Sequence, residues 1–328
     1  MGQVVQVTRF GPPEVLTITA VPDLAPGPGE VIVDVSAADV LLLDAVIRSG
    51  LAAAWFPITP PYVPGNGVAG RVSAMGAGVD PGWTGRPVVA HTGEGGGWGG
   101  YAEQAAVQAG RLVAVPDGVS LPEAAAVLHD GATALGLVAG TGVRPGEQVL
   151  ILGAAGGLGI LIGQLARAAG ARVIAAARGK TKLDLLAELG AGPVVDYSEP
   201  DWAGQVARVT GGAGPDVVFD GVGGELGAAA FKTIAAGGLF SAHGAASGGF
   251  APVGTDQAAR RGVTLRGVEQ VQFGPGEHER LAGQALAALA AGRIHPVVGQ
   301  VFPLRQAAAA HLALETRSAV GKTLLTVA

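Results

Sequence analysis

The densest run of residues with a chemical use is Gly153-Ala154-Ala155-Gly156-Gly157-Leu158-Gly159. At the spacing of a G-x-G-x-x-G turn it reads A-x-G-x-x-G, with Ala154, Gly156 and Gly159 at the key positions. Gly156 removes a Cβ where a diphosphate must approach the backbone, and Gly159 lets the following helix pack closely on its sheet. A helix opening here offers free N–H groups and the positive end of its dipole to phosphates. The chemistry implied is dinucleotide binding; a purely structural tight turn is the alternative.

The residues beyond the turn choose between the two nicotinamide dinucleotides. An acidic residue about 20 positions on would hold the ribose 2′-OH. The segment instead reads Ala175-Ala176-Ala177-Arg178-Gly179-Lys180-Thr181-Lys182, with three cations and no carboxylate. Arg178 can pair bidentately with a 2′-phosphate, which a carboxylate would repel. The expected cofactor is therefore NADPH.

A train of alternating elements must position this turn. Apolar strands are read at 148–154, 172–177, 193–197, 215–222, 239–244 and 263–268. Helices are read at 157–170, 180–190, 201–212, 225–238 and 278–292. Short apolar strands alternating with helices predict a doubly wound parallel sheet. Residues 1–122 differ: β-branched runs at 31–40, 67–76 and 86–93 are separated by Pro26-Gly27-Pro28-Gly29, Asp80-Pro81-Gly82 and Glu94-Gly95-Gly96-Gly97, which suggests a β-rich domain. Strand character returns at 296–304 and 321–328 around a helix. The expected organisation is thus a β-rich domain from 1–122 completed by 294–328, with the nucleotide domain 123–293 inserted and a cleft between them.

Composition sets limits on the rest. The chain has 328 residues, 49% of them hydrophobic and 14% charged, which excludes disorder. Its 56 glycines and 21 prolines follow no period, which excludes collagen-like repeats. With a net charge of −5 and no basic run, neither nucleic acid nor an anionic membrane is an expected partner. The absence of cysteine excludes disulfides, thiolate zinc sites and a Cys nucleophile. The mean hydropathy of +0.42 raises the question of a membrane span at 148–166, but five glycines and two glutamines there favour strand, turn and buried helix. The first residues read as a strand rather than a leader, so a cytoplasmic location is expected.

In order along the chain, Phe10-Gly11-x-Pro13-Glu14-Val15-Leu16, Pro26-Gly27-Pro28-Gly29-Glu30-Val31, Ile47-Arg48-Ser49-Gly50 and Val63-Pro64-Gly65-x-x-x-Ala69-Gly70 stand in the first third. Gly100-Tyr101-Ala102-Glu103, Val115-Pro116-Asp117-Gly118, Gly131-Ala132-Thr133-Ala134, the glycine turn and Val195-Asp196-Tyr197 follow. With these the chain resembles, nearly end to end, the zinc-independent medium-chain dehydrogenase/reductase family in its quinone oxidoreductase branch. The resemblance implies a GroES-like β domain plus a Rossmann domain, a homodimer, and hydride transfer from NADPH to quinones or α,β-unsaturated carbonyls. It places Thr133 at the nicotinamide, Lys182 and Tyr197 at the adenosine ribose-phosphate, and Ser241-Ala242-His243-Gly244 beside the nicotinamide. Zinc-dependent relatives use Cys and a Gly-His-Glu turn; here there is no Cys and the matching turn is Gly65-Asn66-Gly67, so no metal is expected. Leu41 stands where many quinone reductases carry Asn, and the run Val40-Leu41-Leu42-Leu43 points to a hydrophobic or specialised substrate.

Such a reaction needs orientation and stabilisation of an oxygen more than covalent help. Tyr62 is a candidate donor to the carbonyl, against a reading as a packed aromatic beside a proline turn. Asp44 occupies the family's Asp position, against a plain i,i+4 pair with Arg48. Asn66 is a second candidate donor, against an ordinary turn residue. His243 is a candidate for proton transfer, with His91 and His129 weaker ones. Trp55, Phe56 and Trp98 are candidates for an apolar substrate wall. The expected activity is a metal-free, NADPH-dependent reductase acting on a small hydrophobic carbonyl or quinone. A specialised biosynthetic enzyme, with reduction-coupled or non-redox cyclisation, and a redox-silent NADPH-binding protein are the alternatives.

Overall fold

The computed structural model describes residues 1–92, 99–274 and 276–327. The turn cluster at 94–97 and Trp98 lie outside the described residues. Two compact units are present: Met1–Ala132 with Gly276–Ala328, and Thr133–Pro275.

The first unit opens with β1 (Gly2–Val7) and β2 (Leu16–Val21), an antiparallel pair. There follow β3 (Glu30–Val40), α1 (Leu42–Ser49), β4 (Gly67–Met75), β5 (Pro87–His91), β6 (Gln104–Gln108), β7 (Val113–Ala114) and α2 (Leu121–Thr141). The β-branched run Val31, Val33, Val35 of β3 packs with Val68, Val72, Val88 and Tyr101 into one core. β-Branched side chains suit a pleated, buried surface, which is why this glycine-rich stretch still forms strands. The helix α1 was not expected; Asp44, at its third position, accepts the Leu41 N–H at 2.9 Å and so starts it.

The second unit carries β8 (Gln148–Leu152), α3 (Gly157–Ala168), β9 (Arg172–Ala177), α4 (Lys180–Glu188), β10 (Val194–Asp196), α5 (Trp202–Val209), β11 (Val217–Asp220), α6 (Gly224–Thr233), β12 (Leu239–Ala242), α7 (Thr255–Arg260) and β13 (Thr264–Arg266). Its strands form a parallel sheet in the order β10-β9-β8-β11-β12-β13. This is the doubly wound sheet expected from the alternation. Its direction of winding reverses between β8 and β11, where such sheets bind ligands beyond the strand C-termini. The apolar run at 148–166 is the strand β8, a turn and the helix α3, and among the described residues no helix is long and apolar enough to cross a membrane.

The chain returns to the first unit with α8 (Glu277–Ala290), β14 (Val298–Pro303), α9 (Ala307–Glu315) and β15 (Lys322–Thr326). The main sheet there runs β14-β15-β3-β4-β5-β7, with β6 also on β3. The two units divide the chain at other points than the expected 122 and 294. The helix α2 begins at Leu121, and the division falls inside it between Ala132 and Thr133, while α8 groups with the first unit. The reason is packing: Gly131 of α2 lies so close to Ala285 of α8 that a Cβ there would meet it at 2.8 Å, and Gly283 faces Val113 of β7.

Candidate functional site

In the second unit the glycine turn sits at the switch point of the sheet. Gly153 has φ +70°, the left-handed conformation that reverses the chain after β8. A Cβ on Gly159 would lie 2.5 Å from Gly153 O and 2.8 Å from Ala154 Cα, so α3 is drawn against the turn backbone. A Cβ on Gly156 would meet only Gly153 O, at 3.4 Å, and otherwise points into open space. Gly156 is the N-cap of α3 and offers no side-chain cap, so the N–H groups of Gly157, Leu158 and Gly159 lack an intrahelical acceptor. Ala154 and Ala155 are buried beneath the turn, and Gly156, Gly157 and Leu158 are half-exposed on it. The arrangement is a ready cradle for a diphosphate.

Beyond β9, Arg178 is exposed and Lys182 stands half-buried in the first turn of α4. The Asp196 carboxylate at the end of β10 pins this loop: it accepts from Gly179 N at 3.1 Å and from the Ser198 amide and hydroxyl at 2.9 and 2.5 Å. Burial raises its pKa, but the bonds from Ser198 and Gly179 and the nearby charge of Arg178 outweigh that and leave it lowered. Tyr197 follows, half-buried against the core. On the other side of the switch point, Asp220 ends β11 buried and accepts from Val222 N and Gly223 N at 2.9 and 2.8 Å. The loop after β12 lies against that turn, since a Cβ on Gly244 would stand 2.4 Å from Gly221 O. Ser241 and Ala242 are buried, and Ser241 Oγ lies 3.1 Å from His243 Nδ1. Thr133 is buried in α2.

In the first unit the candidate residues separate. Tyr62 packs among Val7, Val15, Phe10, Ile47 and Ile58, and its hydroxyl is buried without a hydrogen-bond partner. Burial, with Asp44 nearby, pushes that phenol well up. The supposed Asp44–Arg48 pair gives way to other partners. The Tyr101 hydroxyl donates to Asp44 Oδ2 at 3.1 Å and stands 3.1 Å from His311 Nε2. Arg48 donates to Gly11 O at 2.7 Å and pairs with Glu315 on α9. One turn of helix would allow the i,i+4 contact, but the fold gives each group a partner from a distant segment. Asn66 is half-exposed, and its carbonyl accepts from Thr92 N at 2.8 Å. Trp55 is 76% exposed and Phe56 37%, so neither serves as core.

A cluster of which sequence reading named only His91 and His129 lies at the ends of β3, β4 and β5. Gly67 pairs with His91 across the sheet. A side chain on Gly67 would strike Asp39 Oδ1 and Leu128, at 2.9 and 2.7 Å. Lys322, the first residue of β15, stands buried between Asp39 Oδ2 at 3.3 Å and Asp130 Oδ2 at 3.2 Å. Burial lowers its pKa, but the two carboxylates outweigh that and hold it cationic. His129, His91 and His278 stand next to this ion triad as three adjacent rings. The available signal was polar residues set inside apolar runs, as in Asp39 of 31–40 and the His129-Asp130 pair of an Ala-rich helix.

The buried groups set the pH response. Burial pushes His91 to about 3, with His129, His278, Arg111 and Lys322 adding to it; burial and Arg48 push His311 to about 3; burial pushes His243 to about 4. His129 and His278 are also lowered by burial. An unfolded histidine titrates near ~6.5, so on acidification the unfolded chain takes up protons first. The stability these rings contribute is complete above about pH 6.5 and is lost as the pH falls towards the folded values. Asp44, raised to about 7 by burial and by Asp39, acts oppositely, as does the raised Asp220: their contribution is lost as pH rises. With five rings against two carboxyls, Tm is expected to fall between about pH 7 and pH 5. A flat or rising Tm in calorimetry would contradict the neutral, buried state of the rings.

Two family profiles match the chain: the alcohol dehydrogenase GroES-like domain over residues 27–117 and the zinc-binding dehydrogenase over 157–288. The chain is 32% identical to the quinone oxidoreductase of Pseudomonas aeruginosa, with 99% of each chain covered. It is 32% identical to the 2-haloacrylate reductase of a Burkholderia species, with 92% of each covered. The structure of the Escherichia coli quinone oxidoreductase complexed with NADPH superposes with a TM-score of 0.90 at 28% identity, covering 99% of both chains. The end-to-end likeness in sequence and the shared pair of domains lead to one statement: the chain belongs to the medium-chain dehydrogenase/reductase family, in its quinone oxidoreductase-like branch.

Proposed function

We propose that this protein is an NADPH-dependent, metal-free reductase that transfers hydride to a quinone or an α,β-unsaturated carbonyl. The observation that carries the reading is the open, uncapped N-terminus of α3 at Gly156, at the switch point of the parallel sheet. The diphosphate lies on Gly156, Gly157, Leu158 and Gly159 over Ala154 and Ala155. Arg178, Lys182 and Tyr197 take the adenosine ribose-phosphate, and Thr133 with Ser241, Ala242, His243 and Gly244 borders the nicotinamide. When bound, the cofactor supplies the hydride. The chain's own work is to hold it, exclude water and steady the acceptor oxygen. Tyr62, Asn66, Asp44 and His243 remain proposals for groups near the acceptor. Of these His243 is neutral at pH 7 with Nδ1 beside Ser241, which suits it to positioning more than to proton donation.

Two features support NADPH and a metal-free reaction. No carboxylate stands between the end of β9 and Lys182, and Asp184 further along is tied to Lys180 at 2.7 Å. The chain has no cysteine, and its Gly65-Asn66-Gly67 turn lacks the histidine and glutamate of the zinc-dependent pattern. The test is NADPH oxidation against a panel of quinones and enones; turnover on none of them would defeat the reading. In the same protein, Arg178→Ala is expected to weaken NADPH roughly ten- to hundredfold, the worth of a hydrogen bond to a charged group, and to leave NADH unchanged. Equal losses for both cofactors in calorimetric titrations would remove the 2′-phosphate role.

A further inference from the structure

Two loops of the second unit, on one side of the switch point, share a single residue. Asp220 is the last residue of β11 and is fully buried. Its backbone carbonyl accepts from His243 N at 3.1 Å and from Gly244 N at 3.0 Å, in the loop after β12. Its carboxylate Oδ1 accepts from Val222 N and Gly223 N at 2.9 and 2.8 Å, in the loop before α6. Amides from both loops therefore converge on one residue. Oδ2 is buried and makes no hydrogen bond. It lies against Gly227 near the start of α6, where an added Cβ would also meet Asp220 Cγ at 3.0 Å and Ala251 Cβ at 2.7 Å.

The contacts around Asp220 leave the two loops no independent freedom. A Cβ on Gly221 would meet His243 Nε2 at 3.4 Å, so the imidazole lies over the turn. Ser247 N donates to Val222 O at 2.8 Å, and Gly224 N donates to Gly249 O at 3.0 Å. Glycines at 221, 223, 224 and 244 let the two backbones touch with no side chain between them. Hydrogen bonds from backbone N–H groups to a carboxylate are stronger than neutral ones, so Oδ1 is the firmest tie in this interlock. Removing it would leave the buried Val222 and Gly223 amides unpaired and free the turn to leave the loop after β12.

We propose that Asp220 is a positioning residue for the nicotinamide end of the cofactor. It locks the turn at 221–224 to the segment 241–244, and so holds Ser241, Ala242, His243 and Gly244 in the one arrangement that receives the nicotinamide. The proposal rests on the NADPH reading and deepens it, since it names the residue that sets this wall without touching the cofactor. A wall fixed by folding does not have to be ordered on binding, and affinity is reduced by whatever fraction of molecules lacks the competent arrangement. The adenosine end is held elsewhere in the same unit, at Arg178, Lys182 and Tyr197, and does not depend on this wall.

The test titrates the full chain with two probes, NADPH and adenosine 2′,5′-bisphosphate, which carries the ribose 2′-phosphate but no nicotinamide. Asp220→Ala is expected to weaken NADPH roughly ten- to hundredfold, the worth of a hydrogen bond to a charged group. The bisphosphate should change by less than about twofold, as for a distant, independent site. A merely structural role would weaken both probes or neither, and either result in a folded variant overturns the proposal. Asp220→Asn keeps a side-chain oxygen for the two N–H groups and should recover at least about threefold of the loss. No recovery in a folded Asn variant overturns the hydrogen-bonding role. The wild-type protein gives a second measurement that needs no variant to fold. Backbone amide signals of Val222, Gly223, His243 and Gly244 are expected to shift together with NADPH and to stay in place with the bisphosphate. Amides that do not respond to NADPH, or respond equally to both probes, overturn the proposal. Wild-type protein that binds neither probe removes the NADPH reading and the proposal with it. Wild-type binding of both, with no difference between them in Asp220→Ala, removes the proposal alone.

Discussion

Gly156→Val is expected to lower NADPH affinity on the order of 10²- to 10⁴-fold while the protein stays folded, because two or three charge-assisted hydrogen bonds would be lost together. The reasoning is geometric. The backbone at Gly156 has φ −83° and ψ 165°, an extended conformation that valine adopts readily. Its Cβ would meet only Gly153 O at 3.4 Å, so the added methyls project into the space above the first N–H groups of α3. That space is where a diphosphate must lie to reach them. The cost to the fold is confined to a poorer N-cap, up to about 1 kcal/mol. Gly159→Val provides the contrast: its Cβ would sit 2.5 Å from Gly153 O and 2.8 Å from Ala154 Cα, so it should destabilise the second unit itself. Titration of NADPH fluorescence together with thermal melts separates the two. Wild-type affinity in a folded Gly156→Val variant would show that phosphates do not use this turn.

Lys322→Ala is expected to destabilise the first unit by about 3–5 kcal/mol, because it strands two buried carboxylates. The ammonium lies 3.3 Å from Asp39 and 3.2 Å from Asp130, and all three residues are less than a tenth exposed. Asp39 Oδ1 already has no partner, and Asp44 is held near 7 partly by the charge of Asp39. Removing the cation therefore raises the cost of every carboxylate nearby. At roughly 2–4 °C per kcal/mol for a unit of this size, Tm should fall by about 6–20 °C. The variant carrying Lys322→Met, Asp39→Asn and Asp130→Asn should recover most of that loss, since well-packed neutral groups replace a buried ion cluster at little cost. A drop below about 1 kcal/mol for Lys322→Ala would mean that water reaches the triad and screens it.

The nucleotide half was legible in the chain itself because its signals are local. An apolar strand, a glycine turn at fixed spacing and a helix start are all set within about twenty consecutive residues, and β8, Gly156 and α3 appear where that spacing puts them. The absence of a carboxylate after β9 is local in the same sense. The unit boundaries were harder to read. The division falls inside α2, between Ala132 and Thr133, where the sequence carries no break, and α8 follows the same Ala/Leu pattern as the nucleotide-domain helices; its packing on Gly131 and Val113 groups it with the first unit.

The side-chain partnerships of the first unit could not be read from the sequence at all. Asp44 and Arg48 are four residues apart and oppositely charged, which favours a pair in an isolated helix. The folded protein instead gives Asp44 to Tyr101 and Arg48 to Glu315, partners 57 and 267 residues away. Lys322 reaches Asp39 across 283 residues of chain, and three histidines from separate elements become neighbours. Sequence alone thus determined most of the elements, the doubly wound parallel sheet and the glycine turn, because backbone preference and hydrophobic period act over a few residues. Tertiary structure alone decided which buried charges compensate one another and which rings lose their protons. Burial makes each such group dependent on whatever distant segment the fold brings within a few ångströms.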